Sequence, residues 1–177
     1  MFELTEKTKG KLIELIVLSQ KNRKDTDKPG GKFTVEVTLS NHLLAYFDGH
    51  LKGAMYAAPQ GGDSGQKSIE TVTPVSDMPS LSNIGAKLGT VAWHQDFSGY
   101  NWVIDHGTGG KRNIDIDDCK LSGFKFTFKE GGTFVCKFDI ESENVAEAQF
   151  GRMAMFKSRD IEFTLMPPEM EQGDLEK

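Results

Sequence analysis

The chain has 177 residues and a mass of 19.6 kDa, a one-domain length at which folding buries roughly 70% of the unfolded surface and a core needs neither metal nor disulfide. Hydrophobic residues at 37% and charged residues at 27% exclude bulk disorder and collagen-like or coiled-coil architecture. The net charge of −5 argues against strong non-specific binding of duplex DNA, which needs a basic excess.

The charge is uneven along the chain: residues 1–32 carry +3, residues 33–166 carry −5, and the acidic tail 169–177 lies within a final segment, 167–177, of −3. The longest near-continuous apolar run, residues 12–18 with Glu14 within it, falls far short of the roughly 18 residues of a membrane span. Residues 1–7 show no basic stretch leading into an apolar segment, so no signal peptide is expected. Cys119 and Cys136 are too few for a disulfide framework and read as reduced thiols of a cytoplasmic protein.

Taken in chain order, residues 11–19 are rich in Leu, Ile and Val and read as a strand or a short helix. A polar loop over 20–31 ends in Pro29-Gly30-Gly31. Phe33, Val35, Val37 and Leu39 then alternate with polar residues, the pattern of a strand with one dry face. Ser40-Asn41 supplies a helix N-cap for Leu43, Leu44, Phe47, Leu51 and Met55, with Gly49 and Gly53 allowing two short pieces in place of one helix. Residues 58–83, rich in Gly, Ser and Pro, read as a long loop that is functional or disordered. From Lys87 an antiparallel meander is expected, with 88–93 paired to 100–104. Strands at 114–117, 121–128 and 133–140 follow, then a helix capped by 142–144 with Val145, Phe150, Met153 and Phe156 on its apolar side. A final strand over 160–166 is stopped by Pro167-Pro168. The fold class is α+β, a predominantly antiparallel β-sheet forming a sandwich or partly open barrel, with two inserted helices; residues 1–168 make a single domain and 169–177 an acidic disordered tail.

The hairpin around Glu130-Gly131-Gly132 carries the most information. A three-residue turn sets Phe128 opposite Phe134, Phe126 opposite Cys136 and Phe124 opposite Phe138. The same register sets Lys125 opposite Lys137 on the outer face, a like-charge pair that slightly destabilises a sheet. Two readings compete: both amines are simply solvated, or they meet a ligand anion such as a phosphate backbone, with Lys111 and Arg112 in the same basic segment. Trp93, Phe97, Tyr100 and Trp102 fall close together, as do the rings of single-strand nucleic-acid binders; the competing reading places the tryptophans in the core.

No zinc motif accompanies His42, His50, His94 and His106. Asp115, Asp117 and Asp118 could seat a hard cation with His106 or Asp105, or end a solvated strand edge in an Asx-turn, and no metal site or cofactor is assigned. Gly107-Thr-Gly-Gly110 lacks the helix and hydroxyl residue of a phosphate loop, and no nucleophile elbow is present, so the chain does not read as an enzyme.

Val35-x-Val37-x-Leu39-Ser40-Asn41, Ala54-Met55-Tyr56, Val91-Ala92-Trp93, Asp105-His106-Gly107, Ile116-x-Asp118-Cys119 and Lys129-Glu130-Gly131-Gly132 together resemble small early-region proteins of tailed phages and prophages. The likeness covers most of residues 30–168. It implies an accessory protein of a bacterial host cell's cytoplasm, encoded among recombination and replication genes. The acidic tail is similar in composition to those of phage single-stranded DNA-binding proteins, though shorter and without a terminal aromatic.

The leading expectation is a non-enzymatic accessory protein of DNA metabolism that binds single-stranded DNA or a recombination partner. Lys111, Arg112, Lys125 and Lys137 would contact phosphates, while Phe97, Tyr100 and Trp102 stack on bases. The alternative is a protein–protein inhibitor of a host defence or nuclease system, because an acidic surface can mimic DNA towards a basic partner. Self-association into a homo-oligomer is compatible with either, and no membrane is involved.

Overall fold

The computed structural model describes residues 2–18, 29–57, 79–105 and 112–168. Strand β1 (Leu4–Leu18) is followed by β2 (Gly30–Ser40), a short 3-10 helix (Asn41–Tyr46), α1 (Leu51–Met55), β3 (Val91–Trp93), β4 (Phe97–Asp105), β5 (Ile114–Lys129), β6 (Thr133–Ser142), α2 (Glu147–Ala154) and β7 (Asp160–Met166). All pairings are antiparallel. The sheet runs β3-β5-β4-β7-β1-β2-β6, and β5 also pairs with β6. That last pairing closes the sheet into a barrel and removes most free edges. No helix among the described residues is long and apolar enough to cross a membrane.

Period-two alternation decides what fills the barrel. Phe33, Val35 and Val37 of β2, Tyr100, Trp102 and Ile104 of β4, Phe124, Phe126 and Phe128 of β5, and Phe134, Cys136 and Phe138 of β6 all point inward and are buried. The Phe124 and Phe138 rings stack at 5.4 Å. At Gly123 (φ 63) the β5–β6 register shifts between Ser122 and Lys125, a bulge that bends the strand around the barrel.

The ends are covered by the inserted elements. Ser40 accepts a hydrogen bond from His42 N–H at the start of the 3-10 helix, and that helix with α1 makes the two short pieces anticipated at Ser40. At the opposite end the Gln149 side chain accepts from Ala146 N–H at 2.8 Å, opening α2, whose Phe150 lies 5.7 Å from the Phe33 ring.

The expected hairpin between 88–93 and 100–104 does not form. Val91–Trp93 pairs with Phe126, Lys125 and Phe124, and β4 pairs further along the same edge of β5, from Phe97 with Leu121 to Ile104 with Ile114. The two strands are therefore collinear. The reason lies in β5: it runs unbroken through the point where separate strands at 114–117 and 121–128 were expected, and its length offers one edge to both partners. Parts of the expected loop (58–78) and the tail 169–177 lie outside the described residues.

Candidate nucleic-acid interface

Because the interior is filled by side chains, chemistry is confined to the outer surface. The outward residues of β5 change sign along the strand, from exposed Asp115, Asp117 and Asp118 at one end to exposed Lys125 and Lys129 at the other. Four of the described lysines form ion pairs with neighbouring carboxylates. Lys32 lies 2.9 Å from Asp139 and 2.9 Å from Glu141, and both hydrogen bonds raise its pKa, Asp139 the more. Lys120 lies 2.8 Å from Asp96, Lys9 lies 3.6 Å from Glu162, and Lys7 bonds to Asp105.

Lys125 and Lys137 differ. They are direct partners across β5 and β6, about 5 Å apart at the backbone, and neither forms an ion pair with any described residue. Lys125 has Ala92 on its other flank. Lys137 has Glu36, Glu36 has Lys11, and Lys11 has Asp160. One outward row thus crosses β3, β5, β6, β2, β1 and β7. Its second half borders a groove of about 320 Å³ lined by Lys9, Lys11, Glu36, Thr38 and Asp160 among others.

The rings fall differently from expectation. Tyr100 and Trp102 are both 0% exposed, so neither stacks on a base, which corrects that expectation. The Trp102 ring sits 5.3 Å from Phe33 and 6.4 Å from Phe163. Its spacing from Tyr100 and Ile104 places all three on the dry face of β4. Phe97 is half-buried against Phe2, Phe47, Tyr100 and Phe124. The indole left partly exposed is that of Trp93, whose Nε1–H donates to Gln95 Oε1 at 3.0 Å and whose neighbour Ala92 pairs with Lys125.

Nor does the structure gather the four basic residues. Arg112 is exposed at the opposite end of β5 from Lys125, roughly 40 Å along the chain, and its carbonyl accepts from Arg152 Nη2. Lys111 lies outside the described residues. Lys11 joins the row only through the β1–β2 register, which local pattern does not specify. Trp93 was visible among the clustered rings, but its partial exposure follows from β3 being three residues long at the end of the sheet.

Neither thiol is a nucleophile near neutral pH. Burial pushes Cys119 up to about 12, helped by Asp117 and Asp118, and burial also pushes Cys136 upward. Asp117 accepts from Asn101 Nδ2 at 2.8 Å, and among the described residues no three of His, Cys, Asp and Glu group as metal ligands; His106 lies outside them.

Compared with known protein families, curated proteins and solved structures, the chain matches none of them.

Proposed function

We propose that the protein is a non-enzymatic accessory factor of phage DNA metabolism in the bacterial cytoplasm, and that it binds single-stranded DNA along the Lys125–Lys137 row. The observation that supports this reading is the pair itself. Two cations stand directly opposite, neither within ion-pair distance of a carboxylate among the described residues although Glu36 flanks Lys137. Like charges in that position cost a sheet some stability, and a polyanion lying across them removes the repulsion. Trp93 pairs with Phe124 and packs against Phe126 on the opposite face of the sheet, so the reading rests on phosphate contacts and not on a stacked base.

Titration with oligo-dT tests it. Binding raises the fluorescence anisotropy of labelled oligo-dT, and log affinity falls with log salt at a slope of about −0.7 per phosphate neutralised. Lys125→Glu with Lys137→Glu abolishes the binding. An unchanged affinity in that double variant overturns the assignment.

A second reading, a protein–protein inhibitor that mimics DNA, rests on the exposed Asp115, Asp117 and Asp118 at the other end of β5. It is favoured if oligo-dT gives no response at low salt.

A further inference from the structure

β1 is longer than the strand that covers it. β7 pairs with it only from Leu4 to Lys11. Leu12 then exchanges backbone hydrogen bonds with the turn before β7, donating to Arg159 O at 3.1 Å and accepting from Ser158 N–H at 2.7 Å. β2 continues alone along the other edge, as far as Leu18 opposite Gly30. Among the described residues, the remaining edge of residues 13–18 meets no strand and no backbone hydrogen bond.

This stretch is apolar on both of its faces. Leu15 and Val17 share the side of Phe33 and Gly31, and Ile16 and Leu18 take the other. Ile16 is 41% and Val17 59% exposed. Edge strands are ordinarily guarded by lysine, proline, an inward charge or a bulge. The bulge here precedes the stretch, between Leu12 and Glu14, and residues 15–18 carry no guard of their own.

We infer that residues 13–18 pair antiparallel with the same edge of a second copy, joining two barrels across a two-fold axis. An antiparallel edge can be its own partner, the self-complementary arrangement of a two-fold dimer. Continuity of the faces requires residues of like orientation to stand opposite. The register centred on Ile16 meets this requirement: Ile16 faces Ile16, Leu15 faces Val17 and Glu14 faces Leu18. Glu14 is the one charge in the stretch, and this register keeps the two carboxylates four residues apart, roughly 13 Å. The polar compositions of 19–28 and 169–177 do not match an apolar edge, whereas the edge matches itself. The inference is independent of DNA binding.

Sedimentation velocity on the full chain, together with engineered cysteines, tests it. The wild type forms a dimer in a concentration-dependent manner. Ile16→Lys, at an exposed site that leaves the circular dichroism unchanged, sets two ammonium groups opposite each other and weakens the dimer roughly tenfold or more. Ile16→Cys cross-links to its own copy on mild oxidation, because paired strands hold opposite Cα atoms about 4.5–5.5 Å apart, within disulfide reach. Glu14→Cys does not cross-link. The native thiols are buried and do not compete. A chain that stays monomeric at its highest soluble concentration overturns the inference. So does a dimer indifferent to Ile16→Lys, or a Glu14→Cys variant that cross-links as readily as Ile16→Cys.

Discussion

The Tyr100 hydroxyl donates to the Phe2 carbonyl oxygen at 2.6 Å in the interior of the barrel. Phe2 is itself 0% exposed, with its ring against Phe47 at 5.1 Å and edge-on to Phe124 and Phe138. The second residue of the chain is thus a core residue, and the first strand is anchored by it. Tyr100→Phe leaves a buried carbonyl without its donor and costs about 1–3 kcal/mol. Phe2→Ala opens a cavity and costs about 3–5 kcal/mol. Urea unfolding of both variants measures the two losses.

Alkaline pH destabilises the fold. Burial raises Tyr100 from 10.0 to about 12 and Cys119 from 9.0 to about 12. In each case the folded chain holds its proton at a pH where the unfolded chain has released it, so the unfolded state binds fewer protons and stability falls as pH rises. The stabilisation is whole below pH 9.0 and is lost on the way to about 12. Thermal melts from neutral pH upward show a falling midpoint that begins near the ordinary thiol value. Cys119→Ala makes the fall shallower, and only its combination with Cys136→Ala, the other thiol raised by burial, delays the onset towards the ordinary tyrosine value.

The β5–β6 turn tolerates no side chain at Gly132. Its φ is +76, and a Cβ there would lie 2.6 Å from Pro79 Cγ. Gly132→Ala therefore combines left-handed strain with a clash and costs about 1–3 kcal/mol. Gly49→Ala, with nothing within 4 Å of the added carbon, shifts stability by less than roughly 0.5 kcal/mol. Chemical denaturation of the pair separates a packing constraint from a general effect of replacing glycine.

The β5–β6 hairpin and its Lys125–Lys137 pairing are legible in the sequence, because turn length and alternation act over a dozen neighbouring residues and leave one register with a dry face. The same alternation already put Tyr100 and Trp102 on one side of a strand with Ile104. Which side faced the core is a question about what lies across the barrel, where Phe33 and Phe163 close over the indole.

Residue order and alternation alone determined an antiparallel, sheet-rich chain with short helices after Ser40 and around Phe150, and a like-charged pair on its longest ribbon. Tertiary structure decided the rest: that β3 and β4 line up on one edge of β5, that β5 and β6 complete a ring, and that Arg112 stands far from Lys125 while Lys11 comes into its row. Among the described residues it also left one edge of residues 13–18 of β1 without a paired strand. The physical reason is range. Turns and alternation are set by adjacent residues, whereas strand order and edge exposure follow from closing a twisted sheet on itself, and no local stretch of chain encodes which distant edge it meets.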